Sequence, residues 1–333
     1  MSIAFRHGQS AHCENGVTSN LLRHYGIDVS EAMVFGIGSG LFFAYMPFVK
    51  LNGLPASSFR PLPGTIFKRT AQRLGVPIYR KKFRDPEAAM KALDSALEQD
   101  IPAGLQVGVF HLTYFPRPYR FHFNAHNLVA FGKENGRYLI SDPVMEQPES
   151  LSYDELKRVR FAKGAFAPKG QMFYPVCIPD NIDLAKACVK GIRKNCRDML
   201  TIPVPFFGVK GIRLVSRAVK KWPDALGDKM ASLYLGQFIR MQEEIGTGGA
   251  GFRFIYAAFL QEAALVLHNP RLRELSQEMT ACGDRWRDFA TMAGRIIKGR
   301  HSEGESYPAL SAILSEIADR EQIIFSALKK AVP

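Results

Sequence analysis

The chain has 333 residues, of which 47% are hydrophobic and 23% charged, enough for one large domain or two ordinary ones and unlike a disordered polypeptide. Its 44 Lys and Arg against 31 Asp and Glu leave a net charge of +13, which implies attraction to something acidic: nucleic acid, a membrane surface or an acidic carrier protein. The opening MSIAFRHGQS lacks a signal-peptide core, no apolar run approaches the roughly 20 residues of a membrane span, and the basic runs YRKKFR and KGIRKNCR sit in no nucleic-acid-binding motif. The expectation is a cytoplasmic protein without a transmembrane segment and without a nucleic-acid function. Five cysteines, an odd number without close pairing, read as reduced thiols, and the Cys188/Cys196 spacing suits no common zinc pattern, so no metal is expected.

In chain order, HCENGVTSNLLRHYG places Val17, Leu21, Leu22 and Tyr25 at helical spacing after Cys13, with Gly26 where a helix ends. DPEAAMKALDSALEQD predicts a second helix, with Pro86 at its start and Met90, Leu93 and Leu97 on one stripe. Strand signals follow in AGLQVGVF, RFHFNAHNLVAFG and RYLISDP, the last two joined through KENG, whose Asn135-Gly136 pair is a hairpin signal. From about Asp183 amphipathic helical stretches replace them: SLYLGQFIRMQEEI, GFRFIYAAFLQEAALVLH and LRELSQEMTACGDRWRDFATMAGRII. The two prolines of YPVCIPDNID place a boundary near Pro179, dividing the chain into an α+β domain over 1–178 and a mostly α-helical domain over 183–333.

Cys13 poses the chemical question. A thiol attacks as its thiolate, and a helix N-terminus favours that form by aiming unpaired N–H groups at the sulfur. Ser10 is a candidate cap one turn earlier, and the same N–H groups could stabilise an oxyanion. A nucleophilic cysteine also needs a histidine, and that histidine an orienting acceptor. The predicted hairpin supplies both, because His126 lies on its first strand, Asp142 ends its second, and pairing across the turn draws them together. His122, four residues before His126 on the same predicted strand face, is the rival base; adjacent His12 would point elsewhere. Gln9 is a candidate oxyanion donor. Each has a plainer structural reading: a buried packing cysteine, a strand histidine, an Asp-Pro turn and a solvated loop glutamine.

These segments carry a resemblance. HCENGVTSNLLRHYG, FGIGSGLFF and HNLVAFGKENGRYLISDPV resemble the N-terminal domain of the butirosin biosynthesis protein H family, and GTGGAGFRFIYAAFLQEAA is similar to the glycine-rich helix of the helical domain that accompanies it. The resemblance implies a papain-like, cysteine-protease-type fold for the first domain. It also implies acyl transfer from the phosphopantetheine thioester of an acidic acyl carrier protein to a small-molecule amine or hydroxyl, with no bound cofactor. Carried over, Cys13 is the nucleophile, His126 the base and Asp142 the orienter. Papain-like peptidases usually place an oxyanion glutamine six residues before the cysteine, whereas Gln9 lies four before. The same three residues would also serve a peptidase or thioesterase, and a non-catalytic scaffold or a homodimer is compatible with the sequence. GTGGAG lacks the Lys-Ser/Thr of a phosphate loop and reads as a close backbone approach at a domain interface. On the helix after it, Arg253, Tyr256 and the nearby Glu262 are candidate substrate contacts, with structural pairing as the alternative.

Overall fold

The computed structural model describes residues 3–51, 53–245 and 247–333. In chain order the elements are α1 (Cys13–His24), α2 (Glu31–Ile37), β1 (Ala44–Leu51), β2 (Leu54–Ser58), α3 (Thr65–Leu74), β3 (Ile78–Lys81), α4 (Pro86–Glu98), β4 (Ala103–Val107), β5 (His126–Glu134), β6 (Arg137–Ser141), β7 (Glu149–Ser152), α5 (Tyr153–Arg160) and β8 (Met172–Pro175). Helices follow: α6 (Leu184–Leu200), α7 (Gly208–Val219), α8 (Trp222–Leu226), α9 (Asp228–Glu243), α10 (Arg253–Val266), α11 (Pro270–Ile297) and α12 (Tyr307–Ala331).

They gather into two compact units, one of Met1–Val34 with Ile66–Ile182, the other of Phe35–Thr65 with Asp183–Pro333. The expected cut near Pro179 therefore omits a segment: residues 35–65, with the β1–β2 hairpin, group with the helices rather than with domain 1–178. The reason is aromatic packing. Phe35 stacks on Phe252 at 5.0 Å between ring centroids, and Phe59 meets Trp286 edge-on at 5.5 Å. A composition shift along the chain marks where helices begin; it cannot show that an earlier segment fills their core.

The first unit is built on an antiparallel sheet of order β3-β8-β4-β5-β6-β7. β5 is buried on both faces, which suits its run of small and apolar residues. Leu128 and Ala130 join Met90, Leu93 and Leu97 of α4 and Leu156 of α5 in one cluster. Val129 and Phe131 join Val17 and Leu21 of α1 and Phe67 of α3 in another. Each Leu, Val or Met among them that is fully buried contributes about 1.5–3 kcal/mol. The alternation of β5 thus pins α1 to one face of the sheet. The expected hairpin is present, with Asn135 and Gly136 both at positive φ, 49° and 76°. β5 starts at His126, so the RFHFNA half of the predicted strand is loop: Asn124 turns its side chain to the carbonyls of Lys163 and Ala165 instead of continuing a ladder.

In the second unit the GTGGAG stretch links α9 to α10; its Gly246 lies outside the described residues. The close approach expected at a domain interface occurs within this unit: a Cβ on Gly251, at φ +55°, would stand 2.2 Å from the Phe59 ring. Above it, the Glu243 carboxylate accepts from the Ala250 N–H at 3.1 and 3.2 Å.

Candidate active site

α1 begins at Cys13, whose side chain is buried at 6% relative exposure. The helix is polar, yet Glu14, Thr18, Ser19 and Asn20 are buried because each has a backbone partner: Glu14 accepts from Phe67 N, Thr18 donates to Glu14 O, Ser19 to Val29 O and Asn20 to Gly8 O. These bonds hold the helix start in one place. Ser10 is not its cap. The N-cap is His12, without a side-chain cap bond, and the Glu31 carboxylate of α2 accepts from the backbone N–H of Ala11 at 2.9 Å and of His12 at 2.7 Å. Burial raises the Glu31 pKa against the lowering effect of those two N–H groups. Cys13 is the first residue of α1, so its N–H has no acceptor within the helix. Ser10 instead packs over Gly16, where an added Cβ would meet Ser10 Cβ at 2.7 Å and Pro143 Cβ at 2.5 Å. Glycine at 16 thereby lets the residue after Asp142 close on the cysteine helix.

His126 and Asp142 meet: Nε2 of the imidazole lies 2.7 Å from Oδ2 of the carboxylate, at 4% and 0% exposure. With Nε2 committed, Nδ1 is the ring nitrogen left for Cys13, whose sulfur interacts with the imidazole. Burial alone would pull the imidazole pKa down; the Asp142 charge, the Cys13 sulfur and hydrogen bonds to both outweigh it and push the value up to about 10. The structure thus brings Cys13, His126 and Asp142 together. Of the other thiols, burial pushes Cys188 and Cys196 up to about 12 and raises Cys282 as well, while Cys177 is exposed.

The rival residues go elsewhere. His122 is not on the strand: it lies exposed in the preceding loop, stacked on Phe110 at 4.1 Å. Gln9 is exposed on the segment leading into α1. Arg253 and Tyr256 are fully buried in the second unit, not on a substrate-facing surface. Arg253 donates to Glu321 through Nε at 2.8 Å and Nη2 at 3.0 Å and to the Gly251 carbonyl at 2.8 Å, so its structural partner is Glu321 rather than Glu262. The half-buried Glu262 instead raises the pKa of the Cys188 thiol, after burial.

Four further groups complete the site. The Asn127 amide approaches Cys13 Sγ at 3.9 Å and donates to Ala125 O at 3.2 Å. The Tyr114 hydroxyl donates to Asp142 Oδ2 at 2.7 Å, and the Val144 N–H to Oδ1 at 3.2 Å, so the carboxylate is bonded on both oxygens. Phe115 packs edge-on to His126 at 5.6 Å. Strand alternation hid Asn127, since neighbours on a strand face opposite ways and only the position of His126 at the strand's first residue lets both reach the sulfur. Tyr114 and Phe115 sit in an irregular loop with no periodic signal, and the pairing of Glu31 with the start of α1 is likewise a loop contact. Among the described residues no group of three or more His, Cys, Asp or Glu side chains is arranged to hold a metal ion, and no helix is long and apolar enough to cross a membrane.

Residues 12–143 match the family described as butirosin biosynthesis protein H, N-terminal, and residues 154–328 match a domain of unknown function, DUF4872. Among curated proteins none matches the chain. Two solved structures are similar to about half of the chain. The peptidase domain of Streptococcus ComA, a bifunctional ABC transporter of a quorum-sensing pathway, is 14% identical over 52% of this chain and 98% of its own, with TM-score 0.34. A C39-like peptidase from Bacillus anthracis is 12% identical over 53% of this chain and 96% of its own, with TM-score 0.36. A helix headed by cysteine, packed on an antiparallel sheet that carries the histidine, is the papain-like layout, and it is followed by a mostly helical part. With the DUF4872 match spanning just over half its length and the butirosin biosynthesis protein H N-terminal domain before it, the chain belongs to the butirosin biosynthesis protein H-like family.

Proposed function

We propose that the protein is a cysteine-dependent acyltransferase that takes an acyl group from a carrier-protein thioester and passes it to an amine or hydroxyl. The observation that carries this reading is the His126 imidazole, bonded to Asp142 through Nε2 and interacting with the Cys13 sulfur. In that arrangement the sulfur attacks the thioester carbonyl, and the oxyanion that forms is met by the Cys13 N–H and the Asn127 amide. Collapse of the adduct expels the pantetheine thiolate, which takes the proton held on His126. The acceptor then attacks the acyl-enzyme while His126 removes its proton, and Cys13 leaves as the thiolate. A thioester is already activated, and a net charge of +13 raises the encounter rate with an acidic carrier. The carrier's phosphopantetheine arm serves as part of the donor.

The test is intact-protein mass spectrometry after mixing with acyl-loaded carrier protein. The expected result is one acyl adduct on Cys13 that disappears when a competent amine or hydroxyl acceptor is added. Adducts on another cysteine, with Cys13→Ala still active, would overturn the assignment. An adduct that decays equally fast with and without every acceptor would make the protein a thioesterase.

A further inference from the structure

The loop from β4 to β5 has two sides. Tyr114 and Phe115 face Asp142 and His126, while Thr113, one residue earlier, lines a cavity of about 380 Å³ together with Phe110, His111, Arg117, Arg120 and Arg158. Three guanidinium groups and an imidazole therefore converge on one hollow of the first unit. Arg120 is held open by carbonyls: its Nε donates to Phe115 O at 2.7 Å and its Nη2 to Thr113 O, contacts that leave its charge uncompensated. Among the described residues neither Arg117 nor Arg158 is in an ion pair. Glu155 reaches the Thr113 hydroxyl, but that carboxylate is held by the Ser152 N–H and by Arg137. His111 feels the crowding: burial, then Arg158 and His122, hold its pKa below the usual imidazole range. Phe110, stacked on His122, gives the hollow one apolar wall.

Uncompensated planar donors around a small hollow match a tetrahedral oxyanion that accepts from several directions. We propose that this cavity is a phosphate-binding site that seats the phosphoester of an acyl donor. The identity of that phosphoester as the one on a pantetheine arm rests on the acyl-transfer reading above; the preference for phosphate does not. A bound phosphate would also brace the loop whose other side holds Tyr114 and Phe115 against the histidine pair.

The experiment is calorimetric titration of full-length Cys13→Ala protein, which cannot turn over, with inorganic phosphate, 4′-phosphopantetheine, pantetheine and coenzyme A. Phosphopantetheine should bind about tenfold or more tightly than pantetheine, weaken with rising salt, and lose about tenfold in the Arg117→Gln/Arg158→Gln variant, whose circular dichroism melt stays unchanged because both side chains are exposed. Inorganic phosphate should compete with it. Tighter binding of coenzyme A than of phosphopantetheine would name the soluble thioester as the phosphate source; equal binding would favour the carrier-bound arm. Equal affinity for pantetheine and phosphopantetheine, or indifference to the arginine substitutions, would overturn the site. Phosphate-dependent binding with no acylation of wild-type Cys13 leaves the site standing and refutes the acyl-transfer reading. Normal acylation with no phosphate dependence does the reverse.

Discussion

Among the described residues two acid–base pairs are fully buried, and they are built differently. In the first unit His126 and Asp142 meet at 2.7 Å, and the imidazole keeps one nitrogen for Cys13. In the second unit Arg253 spends every nitrogen inside the core: Nε and Nη2 go to Glu321, Nη1 to Gly251 O, and the guanidinium lies 5.0 Å over the Trp286 ring. Glu321 is closed as well, since its Oε1 also accepts from Trp286 Nε1 at 2.8 Å. A buried charge that is fully paired holds a fold together; one with an open hydrogen-bonding position beside a nucleophile is poised for chemistry. Burial does not separate the two cases. The unfilled position does.

The sharpest break of this comparison is Asp142→Asn. The amide preserves shape but donates where the carboxylate accepts, so Nε2 loses its partner and the imidazole its orientation. Acyl transfer is expected to fall by about four orders of magnitude, roughly 5 kcal/mol of activation free energy, with the fold retained. Single-turnover acylation of Cys13 would measure it, and a loss below tenfold would place the pair with its structural counterpart.

The complementary break is Arg253→Ala, which strands Glu321 without its cation and should cost about 3–5 kcal/mol of stability. Both tryptophans, Trp222 and Trp286, lie in the second unit, so denaturant unfolding followed by their fluorescence reads that unit. Arg253→Met with Glu321→Leu should recover much of the loss, since apolar replacement removes both charges together. No recovery would mean that the pair does more than close the core.

A smaller effect is the pH dependence left by His126. Its folded pKa, about 10, stands above the ordinary 6.5, so the native state holds a proton that the unfolded chain has lost between those values. The contribution to stability is therefore complete below about pH 6.5, declines as pH rises above it, and is gone once pH passes about 10. Hydrogen exchange at β5 amides across that window should show the slope in the wild type and lose it in His126→Gln.

What the sequence determined by itself is what local chemistry and short-range pairing decide. Asn135-Gly136 set a turn with two positive-φ residues and the pairing next to it, which put His126 and Asp142 on adjacent strands, although a register shift between Ala130 and Gly132 intervenes before the two meet. The apolar spacing after Cys13 determined α1, and the alternation of β5 determined which face receives it. Tertiary structure decided the rest. Whether the histidine of the site is His122 or His126 depended on where β5 begins, and that depended on Asn124 turning to the carbonyls of a distant loop. The closure of α1 by Glu31 rather than Ser10, the Tyr114 bond to Asp142 and the choice of Glu321 over Glu262 as partner to Arg253 join residues 19 to 68 positions apart. Periodicity reports which face of an element is buried; it carries no information about which distant group arrives there, because that is set by how several elements pack at once.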